Sequence, residues 1–194
     1  DSTDIDLYAF SGYNPDSLFT LEEDNSQTTL QEHLEKRNVI AVSFARPIAF
    51  GVLRSDMAYY LDEAIQSGNT FEHVSKLEGL IGLDIIEDEW TYNLQASVSQ
   101  VYGESDAFTS QKNTKSASAS IQKEWSRLRL SSSLLWLYSD STRSSNMLKY
   151  NVQYDWRSDS QFEIGLIVFD GPANSLYGMY DDQDRVYVNF KQSF

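Results

Sequence analysis

The stretch that decides the fold is MLKYNVQYDW, Met147 to Trp156. In an extended chain Leu148, Tyr150, Val152, Tyr154 and Trp156 fall on one side. Met147, Lys149, Asn151, Gln153 and Asp155 fall on the other. With 41% of the chain hydrophobic, five chosen positions would all be apolar by chance about one time in a hundred. The segment reads as a β-strand with one apolar and one polar face.

The same period of two recurs in both directions. Leu128, Leu130, Leu134, Trp136 and Tyr138 alternate with Arg127, Arg129, Ser131 and Ser133, and Ser132 interrupts the apolar side. Trp90, Tyr92, Leu94, Ala96 and Val98 oppose Thr91, Asn93, Gln95, Ser97 and Ser99. Ala117, Ala119, Ile121 and Trp125 oppose Ser116, Ser118, Ser120, Gln122 and Glu124. Lys123 is the exception on that apolar side, placed to snorkel if it lies near an interface. Less regular strands cover roughly 4–12, 38–47, 51–61, 75–87 and 162–169. In the closing DRVYVNFKQSF, Val186, Val188, Phe190 and Gln192 alternate with Tyr187, Asn189 and Lys191, which brings the count to about ten.

The segments between strands alternate in length. Long joins (SGYNPDSLFTLEEDNSQTTLQEHLEKR, EAIQSGNTFEHV, YGESDAFTSQKNTK, SDSTRSSN, DGPANSLYGMYDDQD) take turns with short ones (RPIAF, EDE, SRL, RSDS). Tight turns at one end of a meander and extended loops at the other are the pattern of an outer-membrane barrel. Within the longest loop, at about 12–37, TTLQEHLEKR reads as a short helix capped by Thr28 or Thr29. No internal repeat and no domain boundary is visible, so residues 1–194 read as a single barrel domain.

Composition narrows the partners. A net charge of −14 and a pI near 4.4 argue against nucleic acid, whose phosphates would be repelled. The absence of cysteine removes disulfides, thiolate metal sites and cysteine nucleophiles. Opening on Asp1 without a methionine or a charged-then-apolar leader reads as a mature chain or a fragment of a larger one. No run approaches the roughly eighteen apolar residues of a membrane helix, which leaves a membrane barrel open because barrel strands are short and alternate.

Alternation alone leaves two readings. A soluble ligand-binding barrel of the lipocalin kind points its apolar side inward, whereas a membrane barrel points it at lipid and lines its lumen with the polar side. Tyr138, Trp156, Trp125, Trp90, Tyr102, Tyr59 and Tyr60 lie near strand ends, where a membrane barrel carries aromatic girdles. The polar ladder positions mix both signs: Arg54, Asp56, Glu78, Asp84, Gln95, Glu124, Arg127, Arg129, Lys149, Gln153, Glu163 and Lys191 are the candidate lumen-lining residues. The expected fold is therefore an all-β, antiparallel up-and-down transmembrane β-barrel of about ten strands, or the C-terminal part of a larger barrel.

Individual motifs add little chemistry. His33 beside Glu32 and Glu35, and His73 beside Glu72, fall in predicted outer loops with no nucleophile and orienting partner at a definite spacing, so no enzyme is expected. YDDQD, Tyr180 to Asp184, has alternate acids but lacks the glycine and distal glutamate of a calcium loop. It reads as a solvated loop or one bridged to lipopolysaccharide by divalent ions. Arg54 and Asp56, two apart on one polar face, read as lumen ion pairs with neighbouring strands; the sharper version is a constriction that selects solutes. No cofactor is implied.

Val186, Val188, Phe190 and the terminal Phe194 resemble the C-terminal strand of Gram-negative outer-membrane proteins, the element read by the barrel assembly machinery. Gln192 departs from that pattern at a position usually aromatic. In addition, FGVLRSDMAYYLDEA, GLIGLDIIEDEWTYNLQASVSQVYG and LYGMYDDQDRVYVNFKQSF resemble the C-terminal half of a family of large outer-membrane barrels of unassigned function, often encoded beside RND-type exporters. The resemblance implies a place in the bacterial outer membrane, contact with its lipid and lipopolysaccharide, and a partner in another envelope protein or barrel subunit. It also implies a role as a porin-like channel or as the outer-membrane component of an envelope transport system. The alternatives are a non-conducting barrel that anchors its outer loops, and a soluble ligand-binding barrel.

Overall fold

The computed structural model describes residues 2–24, 27–103, 113–141 and 143–193. It contains twelve strands: β1 (Asp4–Tyr13), β2 (Leu18–Asp24), β3 (Gln27–His33), β4 (Lys36–Ile48), β5 (Gly51–Ser67), β6 (Thr70–Glu87), β7 (Trp90–Tyr102), β8 (Asn113–Trp125), β9 (Leu130–Asp140), β10 (Ser144–Arg157), β11 (Ser160–Asp170) and β12 (Arg185–Gln192). Ten of them form one antiparallel sheet in the order β1-β4-β5-β6-β7-β8-β9-β10-β11-β12, and β2 and β3 form a separate hairpin. The meander expected from the alternation is present. Closure into a barrel is not: β1 and β12 are the two edges of an open sheet. Each internal seam except β1–β4 joins strands adjacent in the chain through a connection that helps fix its register, and a β1–β12 seam would have no such connection.

Through the middle of the sheet the registers carry the two faces from strand to strand, with shifts only between Tyr60 and Glu63 and between Asp155 and Arg157. Leu53 stands opposite Leu83, then Leu94, Ala119, Trp136, Leu148 and Val168 follow strand by strand. Three positions over, on the opposite face, Ser43 leads through Asp56, Leu80, Ser97, Ser116 and Ser139 to Ser145. Because side chains alternate with period two, a register error of one residue anywhere would have swapped these rows.

At one end the connections are tight: 49–50, 88–89, the 3-10 turn at Ser126–Leu128 with Arg129, and 158–159. Arg127 and Arg129 sit in this turn rather than in a strand, Arg129 with a left-handed φ of 52°, so β9 begins later than the alternation suggests. At the other end three segments expected to be loops or helix are strand. EAIQSGNTFEHV extends β5 and β6 to a turn at Gly68 and Asn69, with Gly68 at φ 59°. SDSTRSSN belongs mostly to β9 and β10. TTLQEHLEKR contributes β3, paired with β2 through Leu21 opposite Leu30 and Leu18 opposite His33. The expected Thr28 or Thr29 cap suggested a helix, but β-branched Thr28 and Thr29 beside the alternating Phe19 and Leu21 favour strand pairing.

Burial is unusual. Among the described residues the only buried hydrophobic ones are Leu18, Ala64 and Val74, all at the long-connection end. The apolar face of the sheet is open: Leu7 is 80% exposed, Ile81 52%, Leu94 49% and Val188 70%. Its aromatic residues gather towards the two ends. Trp90 stacks with Tyr92 (5.9 Å between ring centroids), and Trp156, Phe162 and Phe190 form a chain at 5.6 and 4.8 Å near the tight turns. Trp136 and Tyr138 stack at 6.1 Å towards the other end. Lys123 does lie on this face, with Nζ over the rings of Trp90 (4.4 Å) and Trp125 (5.0 Å). Tyr60, expected in a girdle, instead belongs to the polar face, where it pairs with Lys76.

Candidate functional site: the polar face of the sheet

The register places ten of the twelve candidate lumen residues on one face: Arg54, Asp56, Glu78, Asp84, Gln95, Glu124, Lys149, Gln153, Glu163 and Lys191. Arg127 and Arg129 lie at the rim, in the turn described above.

Three charge networks organise this face. On β5 and β6, Arg54 pairs with Asp84, and Ser43 of β4 donates to Asp56. Further towards the long-connection end, Tyr60 donates to Glu78 at 2.8 Å, Lys76 Nζ lies 2.6 Å from the same carboxylate, and Lys76 and Arg37 lie 5.2 and 5.7 Å from the Tyr60 ring centre. Arg37 in turn donates to Glu63, Nε at 2.8 Å and a terminal nitrogen at 2.5 Å. On β10 to β12, Glu163 accepts from Tyr187 (2.7 Å), Asn151 (2.9 Å) and Asn189 (3.4 Å), with Lys149 5.8 Å from the Tyr187 ring centre. Tyr187 lies across Gly165, its cross-strand partner, where an added Cβ would come within 2.4 Å of the ring. The glycine thus makes room for the tyrosine to reach Glu163.

Sequence reasoning missed Arg37, Tyr60, Lys76, Glu63 and Tyr187 in these networks. Lys76 and Glu78 were legible as two positions on one face. Arg37–Glu63 was not, because a bulge between Tyr60 and Glu63, with Asp62 at φ 54°, shifts the β5 register by one and turns Glu63 to that side.

Near the tight turns the polar face forms a concavity of about 760 Å³ between β8 and β12. Glu124, Gln153, Asp155 and Lys191 reach it from the sheet, and Arg129 and Asp159 from the turns. It carries carboxylates and cations in equal number (Glu124, Asp155 and Asp159 against Arg129, Arg157 and Lys191), which suits polar or zwitterionic solutes and water more than an apolar ligand.

The remaining motifs settle at the long-connection end. His33 and His73 flank the ring of Phe71 at 5.2 and 5.8 Å, His33 bonded to Thr20 Oγ1 (2.9 Å) and His73 within 3.6 Å of Asp62 and 3.9 Å of Glu35. Thr20 supplies the hydroxyl bonded to His33, and His73 instead meets the Asp62 carbonyl at 3.3 Å. The YDDQD segment lies at the 3-10 turn Gly178–Gln183, where Asp184 accepts the Phe169 N–H at 2.8 Å. Among the described residues no cluster of three metal-ligating side chains occurs. In the same connection Ser175 donates to the Pro172 carbonyl at 2.6 Å, Ser145 accepts from the Tyr177 N–H at 3.2 Å, and burial raises the Tyr177 phenol above its usual range. Val186, Val188 and Phe190 line the apolar face of β12, exposed by 70%, 70% and 54%; Phe194 lies outside the described residues.

No family model, curated protein or solved structure matches this chain.

Proposed function

We propose that this chain forms the wall of a transmembrane β-barrel in a bacterial outer membrane and acts as a porin-like conduit, alone or as the outer-membrane part of an envelope transport system. The observation that carries the reading is the pairing of an exposed apolar face, girdled by aromatics, with a charge-matched polar face, with only three buried hydrophobic residues among the described ones. A soluble sheet of this size would collapse its apolar face onto a second layer. A bilayer supplies that layer instead, and it requires every backbone group in it to be paired, which antiparallel strands achieve once closed into a barrel.

In this reading the polar face lines water. The mechanism is passive: carboxylates and cations held in pairs along the lumen lower the barrier for a hydrated polar solute without a deep binding site, and the long connections at the outer end restrict entry. Solvation by lipopolysaccharide and assembly by the barrel assembly machinery follow from the same placement, as does contact with another envelope protein.

The test is purification in detergent, gel migration before and after boiling, and planar-bilayer conductance on the same sample. Migration that changes on boiling, together with discrete conductance steps, is the expected result. Changed migration without conductance would replace the conduit with an anchoring barrel. A protein that remains dispersed without detergent would overturn the membrane placement.

A further inference from the structure

From the edges of the sheet we infer that β1 and β12 pair with each other in antiparallel fashion, with Lys191 opposite Asp6, closing the ten strands into one barrel. This rests on the membrane reading and specifies the seam that reading requires.

Among the described residues the outer edges of β1 and β12 have no strand partner, and within a bilayer an open sheet edge leaves a row of unpaired N–H and C=O groups that hydrocarbon does not tolerate. The two edges are mutually compatible. β1 runs from the tight-turn end to the long-connection end and β12 runs back, so a seam between them is antiparallel like every other. Their faces match: Ile5, Leu7 and Ala9 belong to the apolar row with Val186, Val188 and Phe190, and Asp4, Asp6 and Tyr8 to the polar row with Tyr187, Asn189 and Lys191.

Charge narrows the register. On the occupied side Asp4 faces Ala45, Asp6 faces Ser43 and Lys191 faces Gln161. None of the three charges makes an ion pair among the described residues. All three lie towards the tight-turn end of their strands, so the seam brings opposite charges together on the polar face.

Geometry narrows it further. Starting at Asp4, the pairing leads across the sheet through Ala45, Arg54, Gly82, Gln95, Ser118, Leu137 and Met147 to Phe169. Extending the β11–β12 register by two residues sets Phe169 level with Gln183. If Lys191 faces Asp6, Gln183 is level with Asn14, and the circuit returns ten residues beyond its start. With a rise of about 3.4 Å per residue and strands about 4.8 Å apart, that stagger over ten strands is a tilt of about 35°, inside the range of closed barrels. Setting Lys191 opposite Asp4 lowers the tilt to about 30°, below that range. Setting it opposite Tyr8 raises the tilt to about 40°, which a barrel permits, but places Lys191 against a neutral ring. Only the Asp6 register satisfies tilt and charge together.

The chain has no cysteine, so introduced pairs report without background. In the full-length protein, refolded into detergent and checked for a boiling-dependent gel shift, Asp6→Cys with Lys191→Cys should oxidise to an intramolecular disulfide in most of the monomer. Asp4→Cys or Tyr8→Cys with Lys191→Cys should cross-link several-fold less. As a second measurement, Asp6→Lys and Lys191→Asp should each lower the temperature of the gel shift, and the two combined should restore it. A disulfide-linked dimer would assign the seam to a second copy. Preference for the Asp4 or Tyr8 pair, or the absence of any cross-link in a protein that still shows the gel shift, would overturn the register while leaving the membrane reading standing. Loss of the gel shift in the unmodified chain would instead count against that reading itself.

Discussion

The body of the sheet and the region at its long-connection end obey different rules. Among the described residues the body buries no hydrophobic side chain, and its apolar rows run from partly exposed (Leu53, Leu83, Tyr92) to four fifths exposed (Leu7). The other region folds as soluble proteins do. Leu18, Ala64 and Val74 are buried there, Glu63 is buried against Arg37, and Gln66 holds β2 to β5 by bonds to both the N–H and the carbonyl of Phe19. The contrast teaches where each gains stability. The region at the long-connection end buries Leu18 with Ala64 and Val74, whereas the sheet is stabilised within the chain by its ladder and cross-strand pairs, its apolar face left open.

The sharpest way to break that contrast is to charge the face assigned to lipid. Leu94→Arg, near the middle of β7, should destabilise the barrel in a bilayer by about 2–4 kcal/mol, whereas Gln95→Arg on the polar face should cost far less. Urea titration in lipid vesicles, followed by the boiling-dependent gel shift, measures both. Equal effects would mean that the two faces do not have the assigned solvents.

The opposite region should respond to loss of its ion pair. Glu63→Ala leaves Arg37, only a quarter exposed on its side chain, without its partner, and should cost about 2 kcal/mol locally, less than for a fully buried pair because water still reaches the guanidinium. Hydrogen exchange should show faster opening of β2, β3 and the β5–β6 extension with little change in β7 to β12. Uniform loss of protection would show that the two regions are one cooperative unit.

The smallest effect concerns packing within the polar face. Gly165→Ala forces the Tyr187 ring aside, since the new methyl would sit 2.4 Å from it. The expected cost is about 1 kcal/mol, because the ring can swing away from the open polar face. Gly165→Ala combined with Tyr187→Ala should be less destabilising than the separate effects added together.

How far the sequence reaches is clearest from particular residues. Period-two alternation placed Lys149, Gln153, Glu124 and Gln95 on one face because that property is local: each side chain's side depends only on its neighbours in the strand. It failed for Arg129, where a left-handed residue in a turn ends the alternation, and for Tyr60, read from its place near a strand end rather than from its parity. Local signals failed again for TTLQEHLEKR, where threonines read as a helix cap instead pair in a strand with β2.

By itself, then, the sequence determined the ten strands of the large sheet in outline, their two faces and most of the charges on the polar one, since these follow from residue order along an extended chain. Only the tertiary structure decided that Arg37 meets Glu63 across a bulge, that Tyr187 crosses Gly165 to reach Glu163, and that both histidines close on Phe71. Those contacts depend on register between strands, and register is set by pairings, turns and bulges that join residues far apart in the chain.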